Sequence, residues 1–240
     1  AIPGFRTNLS DEELRDVLRT VGCFISGQTA TLAPADRIIY ALRNETQTVE
    51  SIPLIVGSIL SKKLAEGVSE LVLDVKTGSG AFMETLADAQ RLAQSLVDVA
   101  TGAGLQCTAT ISEMGRPLGE MVGHALEVQE SVECLKGGGP DDLRDLVVTL
   151  AGHPDAAEIL ASGRAYSRFQ QMVAAQGGDP AALDASNTLG NDGISVQDIL
   201  ADRSGIVAQV HARALGVSLV RLGGGRIAAT DAIDFGVGIQ

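Results

Sequence analysis

Positive charge is scarce in this sequence. Lys and Arg together number 18 against 30 Asp and Glu, which gives a formal net charge of −12 and a pI near 4.6. No cluster of Lys and Arg interrupts the acidic balance. Because a surface of this sign repels a phosphate backbone, the composition argues against a nucleic-acid partner.

Cysteine and long apolar runs are also scarce. Cys23, Cys107 and Cys134 are odd in number and widely spaced within apolar stretches, which predicts buried thiols in a reducing cytoplasm rather than a disulfide framework or a metal cluster. No apolar run reaches the roughly 18 residues that a membrane span needs, and the opening AIPGFRTNLSDEE has no apolar core of a signal peptide. We therefore expect a cytoplasmic protein with no membrane partner.

What the chain does contain is ordinary globular composition, with 45% hydrophobic and 20% charged residues. Residues 70–75, ELVLDV, have the pattern of a buried strand, and a long amphipathic helix pattern follows before a second strand in LQCTATIS. Strand, helix and strand in this order predict a right-handed parallel βαβ unit. We also predict a helix over residues 11–20, started by a capping box of Ser10 and Glu13, and a short buried strand in CFIS, residues 23–26.

The most distinctive stretch is YALRNETQTVESIPLIVGSILSKKLAEG, residues 40–67. Ser58 and Lys62 are four residues apart, so a helix would place both on one face. Asn44 with Gln47 has the pattern of a capping box, which predicts a helix start there and puts Arg43 at the mouth of a site. Spacing alone leaves open whether Ser58 and Lys62 bind a ligand or are simply solvated.

This stretch resembles the pyrimidine-binding signature of the thymidine and pyrimidine-nucleoside phosphorylases, Y-A-x-R-D-V-T-A-T-V-x-S-[IL]-P-L-I-x-x-S-I-x-[SA]-K-K. The resemblance implies that Arg43, Ser58 and Lys62 hold the exocyclic oxygens and N3 of the base, with Arg43 and Lys62 stabilising charge during catalysis. Tyr40 and Ile59 would lie beside the substrate. The chain departs from the signature at Asn44, where the family has Asp, and around Glu45 and Gln47.

Two further passages extend the resemblance. KTGSGAF, residues 76–82, is a glycine-rich loop at the carboxyl end of a predicted parallel strand, where ligands bind in open α/β sheets. On its own such a loop is more often a tight turn than a site. The family's matching passage lines the active cleft, which implies that Phe82 packs beside the base.

The segment from Glu113 to Leu135 resembles P-L-G-x-x-V-G-[NH]-A-L-E-V-x-E. The resemblance implies a monovalent cation such as K⁺, bound by the backbone carbonyls of Leu118 and Met121 and by the carboxylate of Glu130. Hard oxygen donors suit such an ion. From spacing alone, Glu130 could equally be a solvated acid on a helix face.

The resemblance implies an α/β fold, with a large mixed-sheet α/β domain and part of a small all-helical domain. We expect the first part of the α/β domain at residues 1–34, a helical segment at 35–65, the main α/β part at 66–205 and the start of a C-terminal α+β region at 206–240. The family's phosphate-binding Lys-His-Ser segment would lie upstream of Ala1, so we expect this chain to be a fragment and assign no phosphate-binding residue within it.

The implied activity is phosphorolysis of thymidine, deoxyuridine or uridine by a homodimeric enzyme, with inorganic phosphate as co-substrate and no organic cofactor. Two alternatives remain: a non-catalytic pyrimidine-binding remnant, and a phosphoribosyltransferase-like activity, against which the base-binding triplet argues. The three histidines, His124, His153 and His211, lie in unrelated segments without metal-ligand spacing, so we interpret them as structural.

Overall fold

The computed structural model describes residues 1–27, 31–184, 189, 195–228 and 230–240. The chain divides into two compact units, one formed by residues 28–116 and the other by residues 1–27 with 117–240. The predicted α/β class is confirmed, since both units are rich in helices and the first holds a parallel strand pair. The four-part division expected from the sequence stays a prediction.

The 28–116 unit contains the predicted βαβ arrangement. Strand β1 (Glu70–Thr77) pairs in parallel with β2 (Gln106–Glu113), and the helix Leu86–Gly102 connects them. Thr85 caps that helix by accepting a hydrogen bond from the Asp88 backbone. The alternating apolar side chains of each strand pack against the unit's core, which is built from Val56, Leu60, Val75, Met83, Ala89, Leu92, Ala93, Leu96, Ala100 and Leu105.

Two helices precede this βαβ arrangement. Helix α2 (Pro34–Glu45) starts at a proline, and α3 (Ile52–Glu66) starts after Ser51 and ends at Gly67, which adopts the left-handed conformation common at helix ends. The predicted helix start at Asn44 is therefore wrong, because α2 continues through that position. The predicted capping role of the Asn44 side chain lies outside the described part of the chain.

The unit formed by residues 1–27 and 117–240 is mainly helical. Helix α1 (Asp11–Val21) has the predicted capping box of Ser10 and Glu13 and ends at Gly22. The later helices are His124–Leu135, Asp141–Ala151, Ala156–Ala161, Arg164–Ala175 and Ala212–Leu219, with a 3₁₀ turn at Pro180–Leu183 and a π-helical turn at Val220–Gly224. No helix in the described residues is both long enough and apolar enough to span a membrane.

The strand predicted at residues 23–26 is not formed. Instead, the N–H of Ile25 donates to the side chain of Gln176 over 2.9 Å, and its carbonyl accepts from the same amide over 2.8 Å. Gln176 is completely buried and also donates to the carbonyl of Arg6. A single buried glutamine thus takes the backbone bonds that a neighbouring strand would have supplied, so the apolar segment stays irregular.

The three cysteines are all free thiols. Cys134 is buried as predicted, whereas Cys23 and Cys107 are only half-buried. Burial raises the pKa of the Cys107 and Cys134 thiols, which keeps both protonated and poorly reactive at neutral pH.

Candidate functional site: a donor cluster on paired helices

Helix α3 brings Ser58 and Lys62 together, as their spacing predicted. The ammonium of Lys62 donates to the hydroxyl of Ser58 over 3.1 Å. Ser58 is 7% exposed, and the side chain of Lys62 retains 26% of its exposure. The pair therefore presents an ammonium that is fixed on one side and still reaches solvent on another.

Asp36 completes this cluster, and sequence reasoning missed it. It lies in the first turn of α2, is 8% exposed, and its Oδ2 atom is 2.5 Å from the Nζ atom of Lys62. An acid in the first turn of a helix is usual because the helix dipole favours it, so the sequence offered no sign of a functional contact. The contact of Asp36 with Lys62 is evident only once α2 is seen to pack against α3.

Arg43 lies in the last turn of α2 and is 4% exposed, not at the open mouth that the sequence predicted. Its guanidinium donates to the carbonyl oxygens of Thr48 and Val49, while the N–H of Thr48 donates to the Arg43 carbonyl over 3.0 Å. The arginine thereby closes the turn between α2 and α3. Its burial follows from the helix running past residue 44.

Tyr40 supports Arg43 from the same helix. The guanidinium carbon lies 5.2 Å from the centre of the Tyr40 ring, which is a cation–π contact. Asp36, Tyr40 and Arg43 recur at positions i, i+4 and i+7, so they follow one stripe of α2. Ile59, in contrast, packs against the hydrophobic core of the unit. A contact between Ile59 and a ligand stays a prediction.

The glycine-rich loop follows β1 as predicted. Phe82 is 59% exposed there, between the buried Ala81 and Met83. Among the described residues, no hydrogen bond, ion pair or ring contact joins Phe82 to Arg43, Ser58 or Lys62. Phe82 is thus a surface residue of this loop, and its role beside a base stays a prediction.

Lys76 is the first residue of that loop motif, and its positive charge is balanced by the carboxylate of Asp74. The ammonium of Lys76 lies 2.5 Å from the carboxylate of Asp74 and donates to the hydroxyl of Ser112 over 2.8 Å. The three residues lie on the face of the strand pair away from the unit's core, as the alternation of side chains along β1 and β2 requires, but no motif predicted that they would contact one another.

The predicted cation ligands lie in the other unit. Glu130 is 6% exposed on the helix His124–Leu135, and its carboxylate accepts a hydrogen bond from the Glu120 N–H over 2.8 Å. Within the described ranges, no Lys, Arg or His side chain pairs with it. A buried carboxylate without a cationic side chain beside it carries a negative charge that a bound cation could balance. Leu118 and Met121 lie in the loop just before this helix.

The donors on α2 and α3 define a class of site. An ammonium, a hydroxyl and a guanidinium held on neighbouring helices offer hydrogen bonds to a small polar ring and can stabilise negative charge that develops on it. No side-chain nucleophile is needed for such a role. Such a site can act through hydrogen bonding and charge stabilisation alone.

Comparison with known proteins supports this class. Residues 1–174 match the glycosyl transferase family, a/b domain, and residues 206–240 match the pyrimidine nucleoside phosphorylase C-terminal domain. The chain therefore belongs to the glycosyl transferase family defined by this a/b domain, and the resemblance drawn from the sequence is confirmed.

Relatives align with the whole chain. It is 41% identical over 255 residues to a pyrimidine-nucleoside phosphorylase of Bacillus subtilis and 43% identical over 255 residues to a thymidine phosphorylase of Sinorhizobium fredii. It is also 43% identical over 251 residues to a thymidine phosphorylase of Mycobacterium tuberculosis. These alignments cover 100% of this chain and 59%, 58% and 57% of the relatives, so the chain spans less than three fifths of their length.

Proposed function

We propose that this chain is the base-binding part of a pyrimidine-nucleoside phosphorylase. The reaction would convert thymidine, deoxyuridine or uridine and inorganic phosphate into the free base and a pentose 1-phosphate. The observation that carries the proposal is the fixed ammonium of Lys62, 3.1 Å from the Ser58 hydroxyl on the face of α3. The names of the relatives support the same reaction.

The proposed chemistry needs donors rather than a nucleophile. Phosphate attacks C1′ as the base departs, the sugar becomes oxocarbenium-like, and negative charge gathers on the pyrimidine. Lys62 would donate to an exocyclic oxygen and Ser58 would satisfy N3. Arg43 would use the side of its guanidinium that the α2–α3 turn does not occupy. Donors aimed at developing charge lower the barrier most when they are already oriented, as Lys62 and Ser58 are.

The remaining assignments are finer parts of the same proposal. Tyr40 would orient Arg43, and Ile59 and Phe82 would contact the base. A monovalent cation such as K⁺ would be held by Glu130 with the carbonyls of Leu118 and Met121, and its chemistry would be structural, balancing a buried carboxylate. No organic cofactor takes part. We further propose that the enzyme acts as a homodimer in the cytoplasm.

Phosphate-dependent release of thymine from thymidine tests the proposal. The assay is run on the 240-residue chain and on the longest reading frame that contains it, with thymine binding followed in parallel. We expect turnover that requires phosphate in at least one of the two and saturable thymine binding in both. Thymine binding without turnover in either would favour the non-catalytic remnant, and the absence of both would contradict the proposal.

A further inference from the structure

We propose that Asp36 is the positioning residue that holds the Lys62 ammonium in place for the pyrimidine. The inference rests on the proposed function and deepens it, because it assigns a role to a residue outside the pyrimidine-binding signature. The two residues are 26 positions apart in sequence and meet only because α2 packs against α3. Asp36 would not touch the base itself.

The geometry of an ammonium explains the role. Lysine nitrogen carries three hydrogens in a tetrahedral arrangement. One points to Asp36 over 2.5 Å and a second to Ser58 over 3.1 Å. Two fixed contacts determine where the nitrogen lies and where its third hydrogen points. A long, flexible side chain is thereby turned into an oriented donor, which removes an entropic cost that binding would otherwise pay.

The charges of Asp36 and Lys62 also affect which ligand the pair favours. The carboxylate of Asp36 balances the ammonium of Lys62, so the pair adds direction without adding net positive charge. The buried carboxylate is itself favoured by its place in the first turn of α2, near the positive end of the helix dipole. Because the pair carries no net charge, it suits a pyrimidine, which gains only partial negative charge as it departs, better than a fully charged phosphate anion. It therefore favours the base over phosphate as the ligand at this position.

The decisive experiment measures thymine and uracil binding by the 240-residue chain and by Asp36→Asn, which keeps the shape and an acceptor oxygen but removes the charge. We expect affinity for both bases to fall at least tenfold. In a Lys62→Met background, Asp36→Asn should change affinity less than twofold, because the residue that it positions is already gone. The matched control is Glu66→Gln, which breaks the exposed pair of Glu66 with Lys63 on the same helix and should leave affinity unchanged.

A second readout reports the lysine directly. The rate at which Lys62 is acetylated, measured by mass spectrometry with Lys136 as the internal reference, should rise severalfold in Asp36→Asn and stay constant in Glu66→Gln, because neither substitution touches the pair of Lys136 with Asp184. A purely structural role for Asp36 would not confine the change to Lys62. Far-UV circular dichroism confirms that each variant is folded before it is compared.

The outcomes separate the two claims. Unchanged base affinity in Asp36→Asn would overturn this inference and leave the proposed function standing. An equal loss in the wild-type and Lys62→Met backgrounds would also overturn it, since Asp36 would then act independently of Lys62. If the unmodified chain binds neither thymine nor uracil, the proposed function fails and this inference fails with it.

Discussion

The guanidinium of Arg43 donates to the carbonyl oxygen of Val49, and this bond ties the end of α2 to the turn that leads into α3. The same side chain donates to Thr48. Arg43 is thus a structural residue of the site as well as its proposed ligand contact. Loss of base binding in an Arg43 variant would therefore not by itself show that the arginine touches the base.

Removal of the Arg43 side chain should destabilise the protein. Arg43→Ala leaves two turn carbonyls without their charged donor, and a hydrogen bond to a charged group contributes about 1.5–3 kcal/mol. We expect the free energy of unfolding in urea to fall by about 2–3 kcal/mol. Arg37→Ala, at an exposed position of the same helix, is the control and should change it by less than about 0.5 kcal/mol. Equal stability of the two variants would show that the arginine does not hold the turn.

Local sequence patterns predicted the elements whose partners are close in the chain. The capping box of Ser10 and Glu13, the βαβ arrangement and the shared face of Ser58 and Lys62 all follow from spacings of two to four residues or from a single crossover. Each was found where the pattern placed it.

Contacts between distant residues could not be predicted in this way. Asp36 meets Lys62 and Gln176 replaces a strand beside Ile25 only through tertiary packing. Arg43 was misplaced because Asn44 and Gln47 imitate a helix start, whereas Asn44 lies in the last turn of α2 and Gln47 lies just beyond its end. In each case the local pattern was compatible with two structures, and packing selected the one that the sequence did not indicate.

The capping box of α1 should make stability depend on pH. Bonds from the Ser10 backbone, the Arg6 side chain and the Ser10 hydroxyl lower the pKa of Glu13 to about 2 from its ordinary 4.5. Because the folded value is the lower one, the stabilisation is complete above about pH 4.5 and is lost as the pH falls towards 2. Urea unfolding of wild type and Glu13→Gln should therefore differ at pH 6, and the difference should shrink by pH 3.

Glu12→Gln is the control for that comparison. It removes a charge from the same helical turn but leaves both hydrogen bonds of the capping box in place. Its effect on unfolding should be smaller at pH 6. A Glu13 effect that is identical at both pH values would show that the capping carboxylate is not the titrating group.

Gly78 permits the close approach of the loops that follow β1 and β2. It has a φ of +111°, and a Cβ atom there would lie 2.6 Å from the Gly115 nitrogen. We expect Gly78→Ala to reduce the free energy of unfolding by about 1–3 kcal/mol. Gly57→Ala is the contrasting variant, because a Cβ on that helical glycine meets no atom within 4 Å. It should stabilise the protein by about 0.5–1 kcal/mol. If Gly57→Ala proved less stable than Gly78→Ala, the assigned loop contact would be refuted.

The proposed cation at Glu130 predicts a dependence of stability on potassium. At a concentration one hundred times the Kd, a ligand that binds only the folded chain raises its stability by about 2.7 kcal/mol. We expect K⁺ to raise the midpoint of thermal unfolding relative to tetramethylammonium at equal ionic strength. Glu130→Gln should abolish the increase, and Glu133→Gln, at an exposed position of the same helix, should retain it. An increase that persists in Glu130→Gln would place the ion elsewhere.

The most direct test of the central claim is a calorimetric titration of the 240-residue chain and its Lys62→Met variant with thymine, with adenine as the control ligand. Met retains most of the apolar stem of lysine but supplies no ammonium. We expect the unmodified chain to bind thymine saturably but not adenine, and we expect the affinity for thymine to fall at least tenfold in Lys62→Met. Thymine binding of equal affinity in both proteins would contradict the assignment of Lys62 and its helix pair as the pyrimidine site.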